Sequence, residues 1–271
     1  MVGSITIHPT AVVDTSAQLG EGVLVGPYAI VEAGAVIGVD CQINSHAIVA
    51  GGVRMGCGNR VYHHAIVGTD SQDMKYRGEK ADLIIGDNNV FREFVTVNRA
   101  TGSGKATVIG NNCLFLAYSH VAHNCQVGSN VILANCAELG GEVVVEDFAV
   151  LGGLVGVHQF CRIGAHAMVG ACSKITQDIP PYVTADGHPA RPHGLNLVGL
   201  KRRGFTRETL TKLKEAYRLI YRSSLLLDEA LSRVEAQMGD CPEVAHVVAF
   251  TRASKRSLSR PRRQIEDDIV D

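Results

Sequence analysis

Two histidines in the segment YSHVAHNC are the side chains whose type and spacing best suit acid–base chemistry. His120 and His123 flank Val121, whose place in a regular apolar pattern predicts an inward side chain, so both imidazoles are expected to point outward. A neutral imidazole can take a proton from a hydroxyl or amine as that group attacks a carbonyl. A third group usually orients such a base, and Asn124 or a backbone carbonyl are the candidates here. Spacing alone favours surface histidines over a catalytic pair.

Further polar residues fall at other predicted corners of the chain. His158 and Gln159 in GVHQF offer two adjacent polar side chains, and Glu142 in GGEVVV follows at a corner just over one coil beyond His123. A zinc site built by histidines of adjacent subunits is an alternative. It needs three converging ligands, which the sequence does not reveal.

The elements that must position these residues are described by a six-residue period. A hexapeptide repeat is the signature of a parallel β-helix, in which three hexads make one coil and the large residue fills the interior. The slot two residues before the large residue is mostly small, and it holds Cys41, Cys113, Cys125 and Cys161, which we interpret as reduced packing residues. The period runs through Ile7, Val13, Leu19, Val25, Val31, Ile37, Ile43, Val49, Met55, Val61 and Val67, then Ile85, Phe91 and Val97, then Ile109, Phe115, Val121, Val127, Leu133, Leu139, Val145, Leu151, Val157, Ile163, Val169 and Ile175.

Two insertions interrupt the hexads, near residues 68–84 and 98–108. Insertions in a solenoid become loops on one face, often the binding face. The first contains Asp73 and Lys75 in a dense polar run, and the second is rich in glycine and expected to be mobile. A tolerated surface insertion is the alternative interpretation.

The period changes after the proline-rich stretch QDIPPYVTADGHPARP, where proline disfavours both a helix interior and a central strand. Helical spacing then predicts helices over 206–223, with Thr206 as the N-cap, over 225–238 and over 242–256. The sequence therefore predicts a β-helix over 1–191 and a small helical domain over 192–271, whose last residues, 259–271, look polar and frayed.

Bulk properties exclude some classes of protein. The chain has 271 residues, a formal net charge of −1 and no run of about 20 apolar residues that would span a membrane. Its first residues lack the regions of a signal peptide, which predicts a cytoplasmic location. Positive charge is concentrated in 192–271, where it is suited to an acidic partner or a phosphate group.

The motifs QDMKY, AHNC, GVHQFCRIGAHAMVGACS, QDIPPYV and GLKRRGF, in this order, resemble the UDP-N-acetylglucosamine acyltransferases, which catalyse the first step of lipid A biosynthesis. The resemblance implies a left-handed β-helix, a homotrimer with sites between neighbouring chains, and no cofactor, metal or nucleic acid. It implies transfer of a (3-hydroxy)acyl chain from acyl carrier protein to the 3-position of UDP-N-acetylglucosamine.

The same resemblance assigns roles to individual residues. His123 matches the general base, and the residues matching substrate contacts are Asp73, Lys75, His120, Glu142, His158 and Gln159, together with Asn196, Arg202 and Arg203 from the neighbouring chain. Ala171 and Met168 match the acyl-chain groove.

The chain departs from the family pattern at three positions. Asn98 and Glu142 stand where many members have histidine, and Ala171 stands where glycine is common. The first two leave open whether the acceptor is the 3-hydroxyl or the amine of a 3-amino analogue. The remaining alternatives are a later N-acyltransferase of the same pathway, a zinc hydratase on the same fold, and a solenoid without chemistry.

Overall fold

The computed structural model describes residues 4–260, and its first 26 strands follow the six-residue period. Most contain two residues, because the chain turns within every hexad. Neighbouring coils pair in parallel, with Thr6 opposite Leu24 and Ile7 opposite Val25, so one coil takes three hexads. The predicted parallel β-helix is therefore confirmed.

The strands lie in three sheets, each of which forms one face of a triangular prism. In chain order they are β1 (Thr6–Ile7), β2 (Val12–Val13), β3 (Gln18–Leu19), β4 (Leu24–Val25), β5 (Ile30–Val31), β6 (Val36–Ile37), β7 (Gln42–Ile43), β8 (Ile48–Val49), β9 (Val53–Met55), β10 (Arg60–Val61), β11 (Ile66–Thr69), β12 (Asp82–Ile85), β13 (Val90–Phe91), β14 (Thr96–Asn98), β15 (Ala106–Ile109), β16 (Leu114–Phe115), β17 (His120–Val121), β18 (Gln126–Val127), β19 (Ile132–Leu133), β20 (Glu138–Leu139), β21 (Val144–Val145), β22 (Val150–Leu151), β23 (Gly156–Val157), β24 (Arg162–Ile163), β25 (Met168–Val169), β26 (Lys174–Ile175), β27 (Val183–Gly187) and β28 (Ala190–Leu195). The first sheet runs from β1 through β4 to β25, β27 and β28, the second from β2 to β26, and the third from β3 to β24.

The interior is a column of the predicted apolar residues. They are buried from Val25 onward, whereas Ile7, in the first coil, is 45% exposed because no coil covers it on that side. Phe91 and Phe115 stack in adjacent coils with ring centroids 4.9 Å apart. The cysteines of the small slot are buried, as predicted. The thiols of Cys41, Cys113 and Cys125 donate hydrogen bonds to turns of the coil, as Cys125 does to the Gly140 carbonyl over 3.2 Å.

Both insertions preserve the six-residue period. An uninterrupted coil pairs residues 18 apart, whereas Arg60 pairs with Val90 and Val90 with Leu114. The first insertion thus lengthens its coil by twelve residues and the second by six. Every later apolar residue therefore returns to the interior.

An antiparallel hairpin caps the last coil, where the sequence predicted neither helix nor strand. β27 pairs with β25 in parallel and with β28 in antiparallel fashion, so β28, which contains Pro192, lies at the sheet edge. Proline is tolerated there because an edge strand needs no complete set of N–H donors. The predicted boundary after residue 191 falls inside β28.

Four helices follow the hairpin in the described part of the chain: α1 (Leu197–Arg202), α2 (Arg207–Arg222), α3 (Leu227–Met238) and α4 (Pro242–Arg252). The last three confirm the predicted helices, except that α4 ends at Arg252 and the prediction of helix up to residue 256 was wrong. The Thr206 hydroxyl caps α2 by accepting from the Thr209 N–H. The short α1 was not predicted. The polar tail beyond residue 260 lies outside the described residues, and no helix within them is long and apolar enough to cross a membrane.

Candidate active site

Both insertions and the predicted base lie along one edge of the prism. The chain passes from the second to the third sheet at residues 70–81, 99–105, 122–125, 140–143 and 158–161, in successive coils. We call this the insertion edge. The coil geometry therefore brings the two insertions, His123, Glu142 and Gln159 to one side of the molecule, as the solenoid argument predicted.

A cleft of about 500 Å³ runs along the outer face of the second sheet beside the insertion edge. Three of the predicted site residues, His120, His123 and His158, line it. The wall consists of Gln72, His120, Ala122, His123, Glu138, Leu139, Gly140, Gly141, Gly156, Val157, His158, Lys174, Ile175 and Thr176.

The hydrogen bonds of His123 determine which of its nitrogens is basic. His123 Nδ1 lies 2.9 Å from Asn124 Oδ1. That oxygen also accepts the Thr101 N–H, while Asn124 Nδ2 donates to the Thr101 carbonyl, so the backbone of Thr101 fixes which end of the amide is the acceptor. Nδ1 must then carry a hydrogen and donate it. The free lone pair is on Nε2, the form that a general base requires.

The second insertion holds the orienting amide in place. Besides its two bonds to Asn124, Thr101 shares a hydroxyl hydrogen bond of 2.6 Å with Ser71 of the first insertion. The Gly102 N–H donates to Glu79 over 2.7 Å. The insertion that was predicted to be mobile is therefore tied both to its neighbour and to the residue beside the base.

Gly141 forms the floor under the His123 imidazole. A Cβ at residue 141 would lie 2.4 Å from His123 Nε2 and Cε1, closer than atoms can approach. Gly141 follows Gly140 in the turn one coil above, so the repeat carries glycine where the ring needs space. Only glycine at this position leaves the ring in its observed place.

The second histidine of the pair, His120, is affected by its burial in the wall of the cleft. Burial lowers the pKa of His120, and the nearby Glu138 carboxylate only partly offsets this effect. Its Nδ1 lies 2.7 Å from the Thr96 hydroxyl. His120 therefore faces the cleft as a neutral side chain that exchanges hydrogen bonds.

The residues predicted to contact the substrate from the first insertion lie close to the cleft but not in its wall. Asp73 is half-buried, and its carboxylate accepts the Lys75 N–H over 3.0 Å. The side chain of Lys75 is exposed, and Gln72 is the residue of this insertion that reaches the cleft. Glu142 and Gln159 lie on the insertion edge next to wall residues, and neither belongs to the wall of the described chain.

The remaining predicted residues lie away from the cleft of their own chain. Asn196 caps α1 by accepting the Gly199 N–H, and the Arg203 guanidinium lies 4.2 Å over the Phe148 ring. Arg202 is exposed beside it. Met168 in β25 and Ala171 just after it belong to the first sheet and its junction with the second.

Sequence reasoning missed Arg256, Thr101 and Gly141. Arg256, which follows α4, places its Nη2 2.7 Å from His158 Nδ1. These two residues are 98 positions apart in the chain, and no local pattern relates them. No sequence pattern pointed to Thr101 either. The adjacent glycines Gly140 and Gly141 were a usable signal, because most hexads carry a single glycine.

Replacement of Asn124 by alanine is expected to lower kcat about tenfold to a hundredfold, as loss of an orienting partner of a base does. The imidazole would lose the acceptor that fixes its tautomer, and the Thr101 N–H would lose its partner. Asn124→Asp keeps an oxygen acceptor for both groups and should retain more activity. Steady-state kinetics of both variants would test this role, and full activity of Asn124→Ala would contradict it.

Comparisons with known proteins point to a single family. The family model described as UDP-N-acetylglucosamine O-acyltransferase, domain 2, matches residues 178–259, and the bacterial transferase hexapeptide model matches residues 106–141. A protein of Alkalilimnicola ehrlichii named acyl-[acyl-carrier-protein]–UDP-N-acetylglucosamine O-acyltransferase is 50% identical over 255 residues, which are 94% of this chain and 99% of that protein. This chain belongs to the UDP-N-acetylglucosamine O-acyltransferase family.

Other members of the family agree in sequence and in structure. The protein of the same name from Paraburkholderia phymatum is 48% identical over 94% of this chain and 99% of its own length. The solved UDP-N-acetylglucosamine acyltransferase of Francisella novicida superposes with a TM-score of 0.92 at 35% identity, covering 95% of each chain. That of Moraxella catarrhalis gives 0.90 at 40% identity over 94% of this chain and 99% of its own. The expected left-handed β-helix is the fold of these relatives.

Proposed function

We propose that this chain transfers an acyl group from acyl carrier protein to the 3-hydroxyl of UDP-N-acetylglucosamine, the first step of lipid A biosynthesis. The observation that carries the proposal is the orientation of His123, whose Nε2 is left free at the cleft by the bond from Nδ1 to Asn124. Membership of the O-acyltransferase family supplies the two substrates, which the relatives' names state. The cytoplasm, where acyl carrier proteins act, is the proposed location.

The chemistry is a direct transfer between the two substrates. His123 Nε2 removes the proton of the sugar hydroxyl as its oxygen attacks the thioester carbonyl carbon. The tetrahedral intermediate then collapses, the carbon–sulfur bond breaks, and the imidazolium returns its proton to the departing thiolate. The products are the 3-O-acyl sugar nucleotide and the free thiol of the carrier, and His123 ends in its starting state.

The buried cysteines, including the one nearest the base, are poor candidates for a covalent acyl-enzyme. Burial raises the pKa of Cys125, two residues from the base, to about 12, and its thiol faces the interior. Burial likewise raises the pKa of Cys113 and Cys161 to about 11. A buried thiol that holds its proton at neutral pH is a poor nucleophile. Direct transfer needs none.

The acceptor in the proposal is the hydroxyl, because the named relatives are O-acyltransferases. A neutral hydroxyl is a weaker nucleophile than a neutral amine, so it depends more on a base that removes its proton during the attack. A zinc hydratase, the alternative considered from the sequence, is not favoured by any of these relatives.

The positions of the remaining predicted residues support a trimer. Asn196, Arg203 and Ala171 lie outside the wall of the cleft that contains His123 in the described chain. They can meet the same substrate only if a neighbouring copy presents them to that cleft. We therefore propose sites shared between neighbouring copies, in the homotrimer that the family resemblance implies, and the mass of the particle in solution would test the number of copies.

The proposed acyl groove predicts a change in chain-length preference. Ala171 is exposed in a turn, and its backbone lies against Gly152 of the preceding coil. If this methyl limits the far end of the groove, Ala171→Gly should shift selectivity toward a donor longer by one or two methylenes, by about tenfold to a hundredfold per methylene. Competing donors of different length in one reaction would measure the shift. Unchanged selectivity would remove Ala171 from the groove.

The proposed function is tested by mixing the purified chain with acyl carrier protein charged with acyl or 3-hydroxyacyl chains and with UDP-N-acetylglucosamine. Mass spectrometry should detect a sugar nucleotide heavier by one acyl group, and a thiol reagent should detect one free carrier thiol per product. The same mixture with the 3-amino sugar analogue compares the two acceptors. Release of thiol without acylated sugar would indicate a hydrolase and overturn the proposal.

A further inference from the structure

The chain returns to the prism after α4 and is fixed there by one buried carboxylate. Asp178 is fully buried and accepts the Arg162 N–H and the Ser254 hydroxyl over 2.8 and 2.7 Å. Its backbone N–H donates to the Ser257 carbonyl, and its carbonyl accepts the Ser259 N–H. Residues 254–259 therefore form a docked strap across the last coil, with backbone bonds on both sides of Asp178.

The strap places a cation at the C-terminal end of the cleft. Arg256 is half-buried, and its Nη2 lies 2.7 Å from Nδ1 of His158, a residue of the cleft wall. Within residues 4–260 no carboxylate lies within 4 Å of this guanidinium. Its other polar neighbour is the Cys161 thiol, and sulfur is only a weak acceptor, so the guanidinium keeps donors for a stronger one.

A second cation lies one coil further along. Lys174 belongs to the cleft wall and pairs in register with Gly156, while the His158 N–H donates to the carbonyl of Ile175, the neighbour of Lys174. The acidic wall residue, Glu138, pairs with Gly156 on its other side. Adjacent strands are about 4.8 Å apart, so Glu138 lies roughly 10 Å from Lys174 along the sheet. The C-terminal end of the cleft is thus positive.

We propose that Arg256, assisted by Lys174, binds a phosphate group of one of the two substrates at this end of the cleft. The proposal rests on the proposed function, in which both substrates carry phosphate. The acceptor has a nucleoside diphosphate, and the donor has the phosphodiester that joins the thiol arm to its carrier protein. The planar guanidinium fork suits phosphate oxygens because it makes two parallel charge-assisted hydrogen bonds.

The strap gives this arginine a fixed position, which distinguishes it from a solvated surface charge. Ser254 and Ser257, on either side of it, are bound to the Asp178 side chain and backbone, and the Ser259 hydroxyl donates to the Ala190 carbonyl over 2.6 Å. A phosphate would then meet an arginine that needs little ordering on binding.

Three variants of the full chain test the proposal: Arg256→Ala, Arg256→Lys and the control Lys255→Ala, which removes the exposed neighbouring charge. Arg256→Ala should raise KM for one substrate about tenfold with kcat changed less than twofold, since a charge-assisted contact made in both ground and transition state is lost. Arg256→Lys should lie between it and wild type, because lysine keeps the charge and loses the fork. Lys255→Ala should match wild type.

Calorimetry on the same variants identifies the source of the phosphate. Weaker binding of UDP assigns it to the acceptor. Weaker binding of acyl-phosphopantetheine, with binding of acyl-pantetheine unchanged, assigns it to the donor. If Arg256→Ala alters neither KM nor either binding constant, or lowers only the unfolding temperature, the proposal is overturned. Absence of acyl transfer by wild type would instead overturn the proposed function, while the binding measurements would still decide on Arg256.

Discussion

The His123→Ala variant is expected to lose about 10²- to 10⁴-fold in kcat, the range over which a general base contributes. The reason is the hydrogen bonding of its imidazole ring. Nδ1 donates a hydrogen bond to Asn124, so Nε2 is the nitrogen of this residue that can accept a proton at the cleft. KM for both substrates should change little, because the ring acts on a proton that is transferred only in the transition state. Single-turnover kinetics with charged carrier protein would measure the chemical step directly.

Folding must be shown to be intact in that variant. His123 lies in a turn and its side chain is outside the apolar interior, so its removal should leave the unfolding temperature close to that of wild type. His120→Ala provides a matched control in the same cleft. Its imidazole is bound to the Thr96 hydroxyl, and its loss should weaken substrate binding more than it slows proton transfer. Equal loss of kcat in the two variants would contradict the assignment of His123 as the base.

Gly141→Ala is expected to lower kcat about a hundredfold, although it adds only a methyl group and removes no chemical function. The new Cβ would lie 2.4 Å from His123 Nε2, so the ring must move or the turn must open. Displacement of a catalytic group by about 1 Å can cost a hundredfold in rate. Activity measured together with a crystal structure of the variant would show whether the ring has moved.

A double-mutant cycle separates displacement of the ring from general damage to the turn. If the methyl acts through the imidazole, adding Gly141→Ala to His123→Ala should have no further effect, because the clashing ring is already gone. A further large loss in the double variant would show that Gly141 acts in some other way. The unfolding temperature should fall less in the double variant than in Gly141→Ala alone.

The prism could be predicted from sequence because its interior imposes the same requirement in every coil. The six-residue spacing of residues such as Val121, Leu139 and Val157 identified the inward positions and left His120 and His123 on the outside. The last three helices followed from helical spacing and the Thr206 cap. The hairpin over 183–195 did not follow, because proline argues against strands except at a sheet edge, and the edge is not visible before the topology is known.

Part of the site could be predicted for the same reason. His120, His123 and His158 share a cleft because residues one or two coils apart stack on one face. The role of Asn124 remained open beside that of a backbone carbonyl, because the choice depends on Thr101, 23 positions away across an insertion. The position of Arg256 depends on docking of the tail against Asp178, a tertiary contact that no repeat in the sequence reveals. The functional roles of these residues, like those of Asp73, Lys75, Gln159 and Arg202, remain predictions.

The insertions lengthen their coils by twelve and by six residues, and the coils on either side still pair in parallel. Within the prism, a gain or loss of one residue in a strand would turn an inward side chain outward, because successive side chains of a strand point to opposite faces. A loop that projects from the insertion edge tolerates changes of length, since a longer loop adds little closure entropy. Lineages can therefore remodel the substrate-facing loops while the prism keeps His123 in its place.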